Sequence, residues 1–212
     1  MKILLLGASG LVGNELLQLL LRDERIETVY APSRRALPPS PKLVNTVSED
    51  LCQIMANWKT PCDIAFCCLG TTRKQAGSDS AFRYVDYTLV VESGRVALAN
   101  GCRHYLVVSA LGANAQSSFL YNRTKGEMEQ ALKMQGWPHL TIARPSMLQG
   151  ERAEKRWLEQ LSEPIFRMLP GKWKGIKAAG VAQALLNAAF NPPDYQLNIL
   201  ESDQLREMAG EA

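Results

Sequence analysis

Hydrophobic residues in this chain fall into short unbroken runs that alternate with longer stretches of helical periodicity. The first run covers residues 3–6, and the leucine-rich stretch at residues 14–22 that follows it has the spacing of a helix. An unbroken apolar run is typical of a parallel strand, because such a strand is covered on both faces. The pattern therefore predicts that the chain begins with a buried strand followed by a helix.

The same alternation continues towards the end of the chain. Six further apolar runs predict strands at residues 28–31, 43–47, 63–69, 105–108, 140–143 and 197–200. Helical periodicity predicts helices at residues 49–58, 80–100, 118–135, 181–190 and 203–208. Strands that alternate with helices require right-handed crossovers and give a largely parallel sheet with helices on both faces. The expected fold is the α/β, doubly wound dinucleotide-binding fold.

The length of 212 residues suits a single domain that spans residues 1–212. Residues 149–174 are less regular than the rest, because charged residues alternate there with large apolar ones. Extra segments of doubly wound folds lie beside the carboxyl ends of the strands, where ligands bind. We therefore expect residues 149–174 to form a small substrate lid within the single domain.

Composition and charge disfavour several classes of partner and site. Lys and Arg number 24 against 21 Asp and Glu, and this net charge of +3 is too small to favour nucleic acid or an anionic membrane as a partner. The five cysteines show neither the spacing of a zinc site nor a disulfide framework. The sequence also shows no signal peptide and no run long enough to cross a bilayer. We expect a soluble cytoplasmic protein with reduced thiols and no metal.

Three glycines mark the turn between the first strand and the first helix. Gly7, Gly10 and Gly13 are evenly spaced, at a place where the backbone must bend tightly and approach a ligand closely. The helix beyond them directs unpaired N–H groups and the positive end of its dipole to the same place. The motif predicts a site for a dinucleotide pyrophosphate, and a tight turn without a ligand is the alternative.

A tyrosine and a lysine lie one helical turn apart in the predicted helix at residues 118–135. Tyr121 and Lys125 share one face, and free tyrosine has a pKa of about 10. A lysine cation one turn away favours the phenolate, and its ammonium can also bind a ribose hydroxyl. Ser109 ends the preceding strand and could supply a hydroxyl to a substrate oxygen. Together these three residues predict hydride transfer between a nicotinamide and a carbonyl or alcohol. The alternative is a core tyrosine beside a lysine whose stem packs on the same face.

Several motifs resemble the short-chain dehydrogenase/reductase superfamily: GASGLVG at residues 7–13, YNRTK at 121–125 and ARPS at 143–146. FCCLGTTRKQAG at residues 66–77, VDY at 85–87 and SSFLYNRTKGEME at 117–129 are similar to a narrower, atypical subfamily. That subfamily includes the Tat-interacting-protein oxidoreductase-like proteins and their bacterial relatives. The likeness extends over residues 2–190 and implies a Rossmann-like fold of the short-chain dehydrogenase type.

The resemblance further implies an NADP-type cofactor and the residues that bind it. These are Gly7, Ser9, Gly10, Leu11 and Val12 at the pyrophosphate, Arg34 and Arg35 at the 2′-phosphate, Leu69, Gly70 and Thr71 beside the adenosine ribose and pyrophosphate, Lys125 at a ribose hydroxyl, and Pro145, Ser146 and Met147 at the nicotinamide carboxamide. Two arginines suit a phosphate, whereas an acidic residue at that place would suit the ribose hydroxyls of NAD. A solvated charged turn is the alternative for the arginine pair.

The expected function is an NADP-dependent oxidoreductase that acts on an unidentified small carbonyl or alcohol. Tyr121 would be the general acid/base, Lys125 would tune it, and Ser109 would stabilise the substrate oxygen. Related sequences often carry two serines at the end of the fifth strand, but the second position here is Ala110. Ser117 and Ser118 are therefore the substitutes for Ser109.

Two further functions stay open at the level of the sequence. One is an NADPH-binding regulatory or scaffold protein with little turnover, since the subfamily is noted for partner binding. The other is a sugar-nucleotide epimerase or dehydratase, although the stretch after Arg144 is short for the substrate lobe of such enzymes. Members of the superfamily often dimerise through helices around the active-site helix, which makes a homodimer an expectation as well.

Overall fold

A seven-stranded sheet, parallel throughout, forms the centre of the molecule. The computed structural model describes residues 1–149 and 174–210. Its strands are β1 Lys2–Leu6, β2 Thr28–Tyr30, β3 Leu43–Val44, β4 Ile64–Cys67, β5 His104–Val108, β6 His139–Arg144, β7 Leu148–Gln149, β8 Ile176–Lys177 and β9 Leu197–Glu201. The sheet order is β3-β2-β1-β4-β5-β6-β9, and β7 pairs with β8 separately. The order reverses at β1, so a crevice is expected between the carboxyl ends of β1 and β4.

Helices cover both faces of this sheet. They are α1 Leu11–Arg22, α2 Leu51–Ala56, α3 Arg73–Ala76, α4 Asp79–Arg83, α5 Leu89–Ala99, α6 Leu120–Lys133, α7 Ala178–Phe190 and α8 Ser202–Met208. A π-helical turn, Tyr84–Thr88, joins α4 to α5.

The apolar run of β1 explains why the sheet lies in the middle. Ile3 and Leu5 pack in one core cluster with residues of α1 and α7. Leu4 and Leu6 pack in a second cluster with residues of α5 and α6. Successive side chains of a strand point to opposite faces, so a run without polar residues requires a covered sheet on both sides. The predicted doubly wound fold is confirmed.

The long helix predicted at residues 80–100 differs from the structure in one respect. The chain is helical from Asp79 to Ala99, but residues 84–88 widen into the π-helical turn. Such a turn holds one extra residue and is frequent at functional sites. Apolar periodicity did not indicate it, because the residues on either side keep the spacing of an ordinary helix.

Residues 70–77, between β4 and α4, contain a single helical turn, α3. The Thr72 side chain accepts a hydrogen bond from the Gln75 N–H and so caps this turn, while Gly77 ends it with a left-handed backbone (φ +80°). The hydrophobic pattern also does not predict β7 and β8, which have two residues each. Both strands are too short for a period to be detected.

Residues 146 and 174 lie close together at the carboxyl end of β6. The Ser146 hydroxyl donates to the Lys174 carbonyl over 2.6 Å, and Arg206 donates to the same carbonyl over 2.9 Å. The Ser202 hydroxyl donates to Ser146 over 2.8 Å. Almost all of the lid predicted at residues 149–174 lies outside the described residues, so the lid and the single-domain boundaries stay predictions.

Candidate functional site

The glycine turn between β1 and α1 packs directly on the end of β4. Gly7 has a left-handed backbone (φ +80°), and a Cβ added to it would lie 2.6 Å from the Cys68 carbonyl. A Cβ on Gly13 would overlap the Gly7 carbonyl oxygen. Only glycine fits at these two positions, because the backbones of the turn, the strand and the helix approach without room for side chains.

The amino terminus of α1 is open to an anion. Gly10 is the cap residue and provides no side-chain hydrogen bond, and no acidic side chain lies in the first turn of this fully described helix. The first N–H groups of a helix have no intrahelical partners and carry partial positive charge. The residues present at this turn therefore fit a pyrophosphate, which would lie at the carboxyl ends of β1 and β4.

Arg34 and Arg35 follow β2, the neighbour of β1, and both are exposed. The buried hydroxyl of Ser33 donates to the Arg35 carbonyl over 2.6 Å, and the Asn45 amide donates to that hydroxyl over 2.8 Å. Neither guanidinium forms an ion pair with any other described residue. The arginines thus extend from a backbone that is fixed in place, at the same edge of the sheet as the glycine turn.

Tyr121 and Lys125 differ sharply in exposure although they lie one turn apart on α6. The Tyr121 side chain is 45% exposed and Lys125 is only 3% exposed. The Tyr121 ring lies 5.9 Å, between centroids, from the ring of buried Phe82 in α4. The phenol is accessible to a substrate, whereas the ammonium is held inside the protein.

Asp86 joins the site although the spacing of its neighbours gives it no predicted role. It lies in the π-helical turn, is 1% exposed, and its Oδ1 is 2.8 Å from Lys125 Nζ. Its Oδ2 accepts a hydrogen bond of 2.8 Å from the Thr71 N–H, in the segment that follows β4. The available signal was an acidic residue between Val85 and Tyr87 in a helix that is otherwise apolar on one side.

The segment after β4 lies against this ion pair. Leu69 is half-buried, Gly70 is exposed and Thr71 is half-buried. A Cβ added to Gly70 would lie 3.5 Å from Asp86 Oδ1 and 3.9 Å from Lys125 Nζ. The structure therefore brings the predicted cofactor segment and the predicted lysine together at one point.

Lys125 is held in its charged form. Burial by itself disfavours the ammonium, but the charge of Asp86, followed by that of Tyr121, outweighs it and raises the pKa of Lys125 above its ordinary value. A permanent cation is thus fixed one turn from the phenol, which is the arrangement that favours a phenolate.

Ser109 lies at the end of β5, but its hydroxyl is directed to a different partner. It is buried and donates to Glu129 Oε1 over 2.6 Å. A serine hydroxyl has one proton, so Ser109 cannot donate to a substrate oxygen while this bond is made. Of the substitutes, Ser117 accepts a hydrogen bond from the Phe119 N–H, and Ser118 is exposed.

Pro145, Ser146 and Met147 continue the chain beyond β6. The Pro145 carbonyl accepts from the Leu111 N–H over 2.9 Å, and the Met147 carbonyl accepts from the Ile176 N–H over 3.1 Å. These bonds fix the backbone at the carboxyl end of β6, on the far side of β4 and β5 from the arginine pair.

Comparisons with known proteins show the family of this chain. A family model described as NAD(P)H-binding matches residues 7–192. The chain is 34% identical over 208 residues to the protein HTATIP2 of Rattus norvegicus, covering 94% of this chain and 86% of that protein. It is 32% identical over 201 residues to the mitochondrial protein FMP52 of Candida albicans, covering 89% and 88%. The chain belongs to the NAD(P)H-binding family of HTATIP2 and FMP52.

Solved structures of other proteins share the fold of this chain. A short chain dehydrogenase family protein of Francisella tularensis superimposes with a TM-score of 0.72 at 12% identity, covering 96% of this chain and 98% of that one. MoeE5 in complex with UDP-glucose and NAD gives a TM-score of 0.73 at 14% identity, covering 100% and 81%. The resemblance to Tat-interacting-protein-like proteins inferred from the motifs is confirmed by the relatives, and the Rossmann-like fold is confirmed by the solved structures.

Further findings concern the predictions about a membrane, a metal and the location of the protein. No helix in the described part of the chain is long and apolar enough to span a membrane. Among residues 1–149 and 174–210, no three His, Cys, Asp or Glu side chains are grouped to hold a metal ion. Because the FMP52 relative is named as mitochondrial, the cytoplasmic location stays a prediction.

Proposed function

We propose that the protein is an NADP-dependent oxidoreductase of the short-chain dehydrogenase/reductase type that acts on a small carbonyl or alcohol. The observation that carries this proposal is the pairing of an accessible phenol, Tyr121, with a buried cation, Lys125, at the sheet edge that holds the glycine turn. An ordinary core tyrosine would be buried together with its neighbours. Here the cation is buried and the phenol is not.

Five segments at the carboxyl edge of the sheet are proposed to bind the cofactor. The residues proposed to bind it are Gly7, Ser9, Gly10, Leu11 and Val12 for the pyrophosphate, Arg34 and Arg35 for the 2′-phosphate, Leu69, Gly70 and Thr71 for the adenosine ribose and pyrophosphate, Lys125 for a ribose hydroxyl, and Pro145, Ser146 and Met147 for the carboxamide. When bound, the nicotinamide would supply or accept a hydride.

The protein's own part in the reaction is the movement of one proton. Tyr121 donates the proton to the substrate oxygen in the reducing direction and removes it in the oxidising direction. Lys125 stabilises the phenolate that remains after donation, because the ion pair with Asp86 holds its ammonium one turn away. Ser109 can assist the substrate oxygen only if its hydroxyl leaves Glu129.

The replacement Tyr121→Phe tests the enzymatic proposal. It removes the phenolic proton and leaves the ring, so turnover should fall by about 100-fold or more while NADPH affinity stays within about threefold of the original. The measurement is NADPH oxidation at 340 nm across a panel of small aldehydes and ketones, together with NADPH fluorescence titration. Tyr195→Phe, an exposed tyrosine that precedes β9, is the matched control.

One observation favours a second function, an NADPH-binding regulatory or scaffold protein with little turnover. The only proton of Ser109 is donated to Glu129, so Ser109 does not offer its hydroxyl to a substrate oxygen in this structure. A protein that binds NADPH but consumes none with any carbonyl in the panel would favour this function over the oxidoreductase. An epimerase or dehydratase on a sugar nucleotide has support from the shared fold alone.

A further inference from the structure

A single buried carboxylate connects the two halves of the proposed site. Asp86 Oδ1 contacts Lys125 Nζ on α6, and Asp86 Oδ2 accepts the Thr71 N–H from the segment that follows β4, each over 2.8 Å. The side chain of Asp86 is 1% exposed and that of Lys125 is 4% exposed. One residue therefore fixes the backbone of the cofactor segment and the position of the lysine together.

The geometry of the main chain explains how Asp86 reaches both partners. The π-helical turn at residues 84–88 is flanked by ordinary helix on both sides, α4 and α5. A π turn contains one residue more than an α turn, so it displaces a side chain from the position that helical spacing would give it. Asp86 lies in the middle of this turn and is directed inward, while Tyr84 in the same turn is exposed.

Asp86 supplies the negative charge that Lys125 requires. The titratable groups that act on the Lys125 ammonium are Asp86 from the π-helical turn, Tyr121 from its own helix and Cys67 from β4. Burial raises the pKa of the Cys67 thiol, so this group is neutral. The anion beside the buried ammonium is accordingly the carboxylate of Asp86.

We propose that Asp86 is a positioning residue whose charge fixes Lys125 beside Tyr121 and whose second oxygen fixes the Thr71 backbone at the same point. The role in catalysis rests on the proposed oxidoreductase function, whereas the two contacts do not. The site needs a carboxylate, because an uncharged side chain of the same shape keeps the contact to Thr71 and leaves the buried ammonium without a counter-charge.

Two measurements test the two contacts separately, without cofactor or substrate, and the first follows the contact to Lys125. Protein labelled with 13C at lysine Cε reports the titration of Lys125, and the signal is assigned with Lys125→Arg. Asp86→Asn should lower the pKa of Lys125 by about one to three units, since an opposite charge at this distance is removed from a buried cation. Asp79→Asn, an exposed carboxylate at the start of the same helical run, is the matched control and should leave that titration unchanged.

The second contact is measured by hydrogen exchange of the Thr71 amide. Asp86→Asn retains an oxygen acceptor for this N–H, so exchange should stay close to that of the unsubstituted protein. Asp86→Ala removes the acceptor, and exchange should be faster by about tenfold. An unchanged Lys125 titration in Asp86→Asn, or unchanged Thr71 exchange in Asp86→Ala, would overturn the proposal.

A failure of Asp86→Asn to fold is also informative. The double variant Asp86→Asn with Lys125→Met leaves no buried charge unpaired and should fold, because the isolated ammonium is then the cause of the failure. If the double variant also failed to fold, the charge of Asp86 would not be its essential property, and the proposal would be wrong.

Turnover separates this inference from the proposed function. With a carbonyl substrate that supports NADPH oxidation, Asp86→Asn should lower kcat by about 100-fold. An equal kcat in the two proteins would overturn the role of Asp86 in positioning. If no carbonyl is reduced at all, the oxidoreductase proposal fails, while the Lys125 titration and the Thr71 exchange still decide whether Asp86 makes the proposed contacts.

Discussion

Arg34 and Arg35 are the residues proposed to select NADP over NAD. Both guanidinium groups are exposed, and their backbone is fixed by the hydrogen bonds of Ser33 with Arg35 and Asn45. A guanidinium matches a phosphate with paired N–H donors, and the cost of ordering it is smaller when its backbone is already fixed. The local geometry is thus suited to a 2′-phosphate, the group that distinguishes NADP from NAD.

The double replacement Arg34→Ala and Arg35→Ala should weaken NADPH binding by about 10-fold to 100-fold and NADH binding by less than about threefold. The net loss of one charge-assisted hydrogen bond costs about 1.5–3 kcal/mol, and about 1.4 kcal/mol corresponds to a tenfold change in affinity, which gives this range. Fluorescence titration with both dinucleotides measures the two losses. Arg103→Ala, an exposed arginine beside the amino-terminal end of β5, is the control, and equal losses for NADPH and NADH would contradict the assignment.

At the scale of elements, α6 is fixed to the carboxyl edge of the sheet by Glu129. This buried carboxylate accepts two hydrogen bonds from Arg144 at the end of β6, over 2.9 and 2.6 Å, and one from Ser109 at the end of β5. Arg144 also donates to Glu201, the last residue of β9. The hydrogen bond to Glu129, followed by that to Glu201, raises the pKa of Arg144, so the guanidinium stays charged. The helix that carries Tyr121 is therefore connected to three strands.

Replacing Glu129 by Gln should lower the free energy of unfolding by about 3 kcal/mol, because it leaves a largely buried Arg144 without its bidentate partner. Urea unfolding followed by circular dichroism measures the change. Glu127→Gln is the matched control two residues earlier on α6, since Glu127 pairs with Arg83 near the surface. This control should cost less than about 1 kcal/mol. A similar loss for both variants would show that the Glu129 network does not stabilise the helix more than a surface pair does.

At the scale of the whole molecule, the proposed cofactor connects two parts of one sheet. The glycine turn and the arginine pair follow β1 and β2, whereas Thr71, Lys125 and Ser146 lie beyond β4, β5 and β6 on the other side of the point where the strand order reverses. A ligand that contacts segments from both sides binds the folded protein and not the unfolded chain. Its binding free energy consequently adds to the stability of the fold.

NADPH should therefore raise the midpoint of thermal unfolding. At a concentration of about 100 times its Kd, a ligand adds about 2.7 kcal/mol, which corresponds to a shift of about 5 to 10 °C for a chain of this size. Differential scanning fluorimetry with NADPH and NADH measures the shift. The double arginine variant should show a smaller shift with NADPH at the same concentration. No shift with either dinucleotide would contradict the proposed cofactor.

Much of the architecture could be predicted from local patterns. The seven strands of the main sheet were all found, since buried parallel strands appear as apolar runs and need no knowledge of their neighbours. The glycine turn was found for a similar reason, because the close approach of backbones excludes every side chain and leaves glycines at fixed spacing. Strands β7 and β8 and the π-helical turn were missed, since two residues or one extra residue produce no period.

The sequence by itself determined the covered parallel sheet, the glycine turn at its first crossover and the tyrosine–lysine pair one turn apart on one helix, because each depends on neighbours within a few residues. Only the tertiary structure decided the partners of the buried polar groups. Asp86 meets Lys125 and Ser109 meets Glu129 across long stretches of chain. Nothing in the spacing of those residues marks a partner. The packing of the helices onto the sheet decides which of these groups are paired. The physical reason is that a buried charge is stable only beside a counter-charge, and packing determines which residue supplies it.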